Sequence, residues 1–190
     1  MKVKEPNRRS GLRQARLAIL SGCALLALAA CSSTEDPAEI GRPCPAIGVL
    51  GDTDHLTLFA GQGHDLTDIA LTANLEGAVS NCTYDTDERT IYVNVAFGGT
   101  AELGPAAPSR EFKVPAFIAV TDSGSKVVHK QMLDLTLLFG GTVRNTQFSQ
   151  TIEDIQIRYP EGADGARYEV LVGFQLTSDQ LAYNRRTGAR

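Results

Sequence analysis

The chain has 190 residues, 18 of them basic and 22 acidic, for a formal net charge of −4, and 43% of it is hydrophobic. Lys2, Lys4, Arg8, Arg9, Arg13 and Arg16, against Glu5 alone, fall within residues 1–30. The remainder therefore carries 12 basic and 21 acidic residues, a net charge near −9. Such an acidic surface is repelled by phosphate backbones and anionic headgroups, which excludes nucleic acid as a partner and a basic patch as the means of membrane attachment.

Residues 1–30 read as an export signal. The basic segment is followed by Leu17 to Ala30, an uncharged, mostly apolar run of 14 residues. A helix crossing a ~30 Å hydrocarbon core needs about 20 residues, so this run is too short to span, and small residues close it as processing requires. Its last residues, Leu28-Ala29-Ala30-Cys31, resemble the lipobox of bacterial lipoproteins. That resemblance implies cleavage before Cys31, a thioether-linked diacylglycerol on Cys31 and a further acyl chain on the new N-terminus. Each buried CH₂ contributes about 0.8 kcal/mol, so two or three chains anchor a protein where one does not. By the sorting behaviour of such proteins, Ser32 after the lipidated cysteine implies the outer membrane, facing the periplasm. Arg8-Arg9 raises twin-arginine export as a second route, although Gly11 stands where that signal usually has an apolar residue.

Residues 31–43 are polar, contain two prolines and show no period, and so read as a tether. Ser32 to Pro43 reaches at most about 40 Å when extended. Of the four cysteines, Cys23 leaves with the signal and Cys31 is the lipidation site. Cys44 and Cys82 remain as an even pair. In an oxidising compartment a disulfide is the default, and one here stabilises by roughly 4 kcal/mol on the chain-entropy model. A free pair or a two-cysteine metal site are the alternatives, and the second lacks partners at ligand spacing.

From Cys44 onward the apolar residues alternate with period 2. The stripes are Ile69–Leu75, Ile91–Phe97, Phe112–Val120, Leu133–Phe139 with His129 and Gln131 upstream, Ile155–Tyr159, and Tyr168–Leu176. This alternation predicts strands with one face on a core and one in water. Asp85-Thr86-Asp87, Asp122-Ser123-Gly124-Ser125, Gly140-Gly141 and Pro160-Glu161-Gly162 supply the turns. Pro115 within the third stripe predicts an edge strand or a bulge. Thr177 with Gln180 has the form of a capping box, which predicts one or two helical turns near 178–184. The expected fold is all-β: a two-sheet antiparallel sandwich, immunoglobulin-like or similar, over residues 44–185, with a short C-terminal helical turn and a frayed tail at 186–190. A small barrel is the alternative.

Three segments are similar to outer-membrane lipoproteins of alphaproteobacteria: Cys44 to Leu50, His64 to Asp68 and Gly173 to Thr177. That resemblance covers most of the chain after Cys31 and implies no activity.

The chemistry-bearing clusters read as structural. Asp52-Thr53-Asp54-His55 lacks the remaining carboxylates and glycine of a calcium loop and reads as a solvated turn. Asp85-x-Asp87-Glu88 reads as a self-capping hairpin. His55, His64 and His129 are the only histidines, and no Gly-x-Ser-x-Gly elbow occurs. Ser80, Ser123 and Ser125 stand outside any motif. His64-Asp65, beside Gly61 and Gly63, is the best local candidate for chemistry, with a plain loop as its alternative. The glycine pair precedes a strand and lacks the helix terminus of a phosphate loop. No metal site and no cofactor are expected. The sequence therefore points to a non-catalytic, lipid-anchored envelope protein that acts on a protein partner through an edge strand or loop surface. A periplasmic small-ligand binding module is the alternative, and an enzyme using His64 or His129 is a distant third.

Overall fold

The computed structural model describes residues 41–187. The lipobox Leu28 to Cys31, the signal around it and the tether as far as residue 40 lie outside the described residues. Eight strands form the domain: β1 (Ala46–Val49), β2 (His55–Phe59), β3 (Ile69–Asp85), β4 (Thr90–Leu103), β5 (Glu111–Asp122), β6 (Val127–Leu138), β7 (Asn145–Arg158) and β8 (Tyr168–Phe174). One helix, α1 (Ser178–Thr187), closes the described chain. The strands make two four-stranded sheets, ordered β1-β8-β5-β6 and β2-β3-β4-β7. All pairs are antiparallel except β1 with β8, which is parallel. The chain is thus the expected two-sheet β-sandwich.

The predicted stripes line its core. Leu71, Ile91, Val93, Val95, Val114, Ile118, Val120, Leu137, Val170, Val172 and Phe174 are fully buried between the sheets. Fully burying one such side chain stabilises by about 1.5–3 kcal/mol.

Two strands are longer than their stripes because a bulge reverses their parity. In β3 the inward residues are Leu71, Ala73 and Leu75; the register then shifts between Leu75 and Gly77, and Ala78, Cys82 and Tyr84 pack on the core instead. In β7 Phe148 and Ile152 face inward before the irregularity at Glu153 and Asp154, and Ile155 and Ile157 after it. An extra residue sends every later side chain to the opposite face. Asp154 sits at φ 57°, and its N–H is taken up by Asn94 Oδ1 at 2.9 Å. Gly98 and Gly99 of β4 have no room for a Cβ. It would meet the Phe148 carbonyl at 2.7 Å on one side and the Asn74 carbonyl at 1.8 Å on the other.

Pro115 is not on an edge strand, because β5 lies between β8 and β6. It is tolerated because β8 has already ended. The ladder to β8 starts at Ala116 opposite Phe174, and beyond it only the loop residue Gln175 reaches Pro115, donating to its carbonyl at 2.8 Å. A strand's N–H and C=O point the same way at one residue, so the missing donor falls where no strand waits for it.

The Thr177–Gln180 capping box is formed: the Thr177 N–H donates to Gln180 Oε1 at 2.8 Å and the Gln180 N–H to Thr177 Oγ1 at 3.2 Å. The helix it starts is longer than expected. It continues through Arg185 to Thr187 because Asn184, buried at 3% exposure, ties it to the sandwich.

Candidate interaction site

Cys44 and Cys82 form a disulfide with Cα atoms 5.7 Å apart. Cys44 lies just before β1, in one sheet, and Cys82 lies in β3, in the other. The bridge therefore joins the two sheets across one side of the sandwich. Polar contacts reinforce the same corner. Tyr84 Oη donates to the Pro43 carbonyl at 2.8 Å and accepts from the Gly165 N–H at 2.6 Å. Arg42 stands 5.1 Å over the Tyr84 ring and donates to Tyr159 Oη at 3.1 Å. Burial raises the Tyr84 pKa above the ordinary phenol value, with the Gly165 N–H opposing it. The neutral phenol is thus the form built into the corner.

The C-terminal helix closes the neighbouring edge. Asn184 Nδ2 donates to the Asp52 and His55 carbonyls, both at 2.9 Å. Arg185 Nε donates to Asp52 Oδ2 at 3.0 Å, and Tyr183 packs edge-on against Phe59 at 5.2 Å.

The histidines are dispersed. His55 is not in a solvated turn; it begins β2, is buried, and its Nδ1 lies 2.8 Å from Asp54 Oδ1. It shares the outer face of the sheet with its cross-strand partner Asn74 and lies where Asn184 of α1 reaches its carbonyl, while Asp52, at φ 62°, makes the turn outside. His64 stacks edge-on against Phe59 at 5.0 Å in the loop after β2. His129 lies in β6, in the other sheet. Among the described residues no histidine hydrogen-bonds a serine, and no three His, Cys, Asp or Glu residues gather as a metal-holding group. Asp85 caps its own turn, accepting the Glu88 N–H at 2.8 Å, and Asp122 does the same for Gly124 and Lys126 at 3.0 and 3.2 Å. The acidic clusters are accounted for by this turn chemistry.

The other side of the sandwich is bordered by β6 and β7. Of the eight large hydrophobic residues exposed among the described residues, Val127, Val128, Met132, Leu138 and Val143 lie on β6 or in the loop after it. Scattered exposed apolar residues need no explanation, whereas a group on one edge is a candidate interaction surface. Arg110 holds the end of this surface, donating from Nε to the Phe139 carbonyl at 3.0 Å and from Nη2 to the Gly140 and Val143 carbonyls. The alternation of Leu133 to Phe139 reveals only the inward stripe of β6; Val128, Met132 and Leu138 make the outward face partly apolar as well, a signal present in the even-numbered positions.

Between β6 and β7 a cleft of about 410 Å³ is lined by Asp122, His129, Ile157, Arg158, Arg167 and Tyr168 among others. Asp122 Oδ2 stands 3.9 Å from Arg167 Nη2. Among the described residues His129 Nε2 is buried without a hydrogen-bond partner. No helix among the described residues is long and apolar enough to cross a membrane. No protein-family model, curated protein or solved structure matches the chain.

Proposed function

We propose that this is a lipid-anchored protein of the bacterial outer membrane, facing the periplasm, with a non-catalytic role in holding a protein-interaction edge near the bilayer. The observation that carries the reading is the long β6 edge with its partly apolar outward face. It is supported by the lipobox at Leu28 to Cys31 and by the Cys44–Cys82 bridge, which suits an oxidising compartment. Lipid on Cys31 supplies attachment, a short tether limits reach, and the sandwich presents the edge. Mild crosslinking in intact membranes is expected to capture a reproducible protein partner. A partner-free monomer would contradict the role. Cys31→Ser is expected to leave an unprocessed precursor, and mature-sized membrane-bound protein in that variant would contradict the anchor. The β6–β7 cleft favours a second reading, a small-ligand module. Its volume lies in the range of small-molecule sites, and its lining is largely polar, with Asp122, His129, Arg158 and Arg167 beside Ile157 and Tyr168. A thermal-shift screen of envelope metabolites on the full protein separates the two, since that reading requires stabilisation by a ligand.

A further inference from the structure

Two of the four sheet edges are closed to an added strand, and a third is interrupted. β1 is four residues long. β2 has five, is bulged between Leu58 and Phe59, and is covered by α1. β7 is long but broken at Glu153 and Asp154, both charged and exposed, with Asp154 at φ 57°. Shortening, bulging, covering and charging are the ways folded proteins blunt edges. The fourth edge, β6, has 12 residues and pairs with β5 without a register break from His129 to Leu138. On its outward face Val128, Met132 and Leu138 are 47%, 50% and 60% exposed.

The charges on that face are arranged symmetrically. Lys130 and Asp134 flank Met132 at equal spacing. Lys130 is kept on the outward face by its hydrogen bond to Gln175 Oε1 at 2.9 Å and by the Phe117 ring beneath it at 4.8 Å. Asp134 is exposed and has no cation within 4.0 Å among the described residues. Opposite residues of an antiparallel pair share a face, and opposite charges there attract. When two copies of β6 run antiparallel with Met132 opposite Met132, Lys130 of each copy stands opposite Asp134 of the other. Centring the pair on Lys130 or on Asp134 would instead oppose like charges.

We propose that β6 pairs with β6 of a second copy of this chain, antiparallel about Met132, joining two four-stranded sheets into one continuous sheet. This deepens the proposed interaction role, on which it rests, by naming the partner. The contact is isologous and closes as a dimer, because each β6 edge is used up by the other. Attachment of both copies to one membrane raises their effective concentration, so a modest interface suffices.

The test uses the full-length protein in its native membrane, with a photo-crosslinking amino acid at position 132 and, as control, at position 79, where Val79 is 68% exposed on the other sheet. The expected result is a dimer-sized adduct from position 132 and none from position 79. Lys130→Glu or Asp134→Lys alone is expected to lower that adduct about tenfold, since each places like charges at both symmetric positions. Co-expression of the two variants is expected to restore it, because the mixed dimer again opposes unlike charges. Restoration also shows that both variants fold. An adduct only with a different protein would overturn self-pairing and leave the interaction role standing, and no adduct at all would overturn both. A dimer indifferent to the charge changes, or one not restored by mixing, would overturn the register about Met132.

Discussion

Along one side of the sandwich, β1 and β2 are short and sealed. The Cys44–Cys82 bridge ties the sheets together there, Tyr84 and Arg42 clamp the entering chain, and α1 covers β2 through Tyr183 and Asn184. Along the other side, β6 and β7 are long, a cleft opens between them, and five exposed apolar side chains gather on or beside β6. Both ends of the described chain are fastened on the sealed side. The fold thus concentrates covalent and polar closure where terminal elements fray at little cost, and leaves the opposite edge free to meet a partner.

Removing the bridge breaks the comparison most severely. Cys44→Ala with Cys82→Ala is expected to lower stability by about 4 kcal/mol on the chain-entropy model while keeping the β-sheet circular dichroism. Thermal unfolding with and without reductant measures it, and an unchanged melting temperature would remove the bridge from the account. Asn184→Leu comes next. It leaves the Asp52 and His55 carbonyls without their donor, a loss of about 2 kcal/mol, and should free α1 to proteolysis while position 132 crosslinks as before. The smallest effect is that of Tyr84→Phe, about 1 kcal/mol at neutral pH. Tyr84 has its pKa raised in the fold by burial. Its contribution is therefore complete below the unfolded value near 10 and is lost as pH rises through the higher folded value. Wild type should weaken on this account at alkaline pH, and the variant should show a flatter alkaline limb in pH-dependent unfolding.

Much of the fold was legible because β4, β5 and β8 keep one parity throughout. Ile91 to Leu103 stays inward on odd positions without a break, and Tyr168 to Phe174 on even ones. Where a bulge switched parity, only one half of the strand was visible. The stripe Ile69 to Leu75 hid the rest of β3, and Ile155 to Tyr159 hid most of β7. β2 was missed because five residues after an acidic turn carry too little alternation to separate strand from loop. The disulfide was readable from cysteine count and compartment, but its joining of two sheets was not, since that depends on which sheet β1 enters. The apolar outward face of β6 was overlooked because Lys130, Asp134 and Thr136 interrupt it.

The central claim, that the β6 edge is occupied by another β6 and the β1–β2 side is not, is read most directly by hydrogen exchange on the full-length lipidated protein. Between His129 and Leu138, the alternate β6 amides that point away from β5 are expected to be protected in the wild type and to lose that protection in Lys130→Glu, while the β6 amides bonded to β5, and those of β2 and β3, stay unchanged. Fast exchange at those outward β6 amides in the wild type, or equal protection there in both proteins, would contradict it.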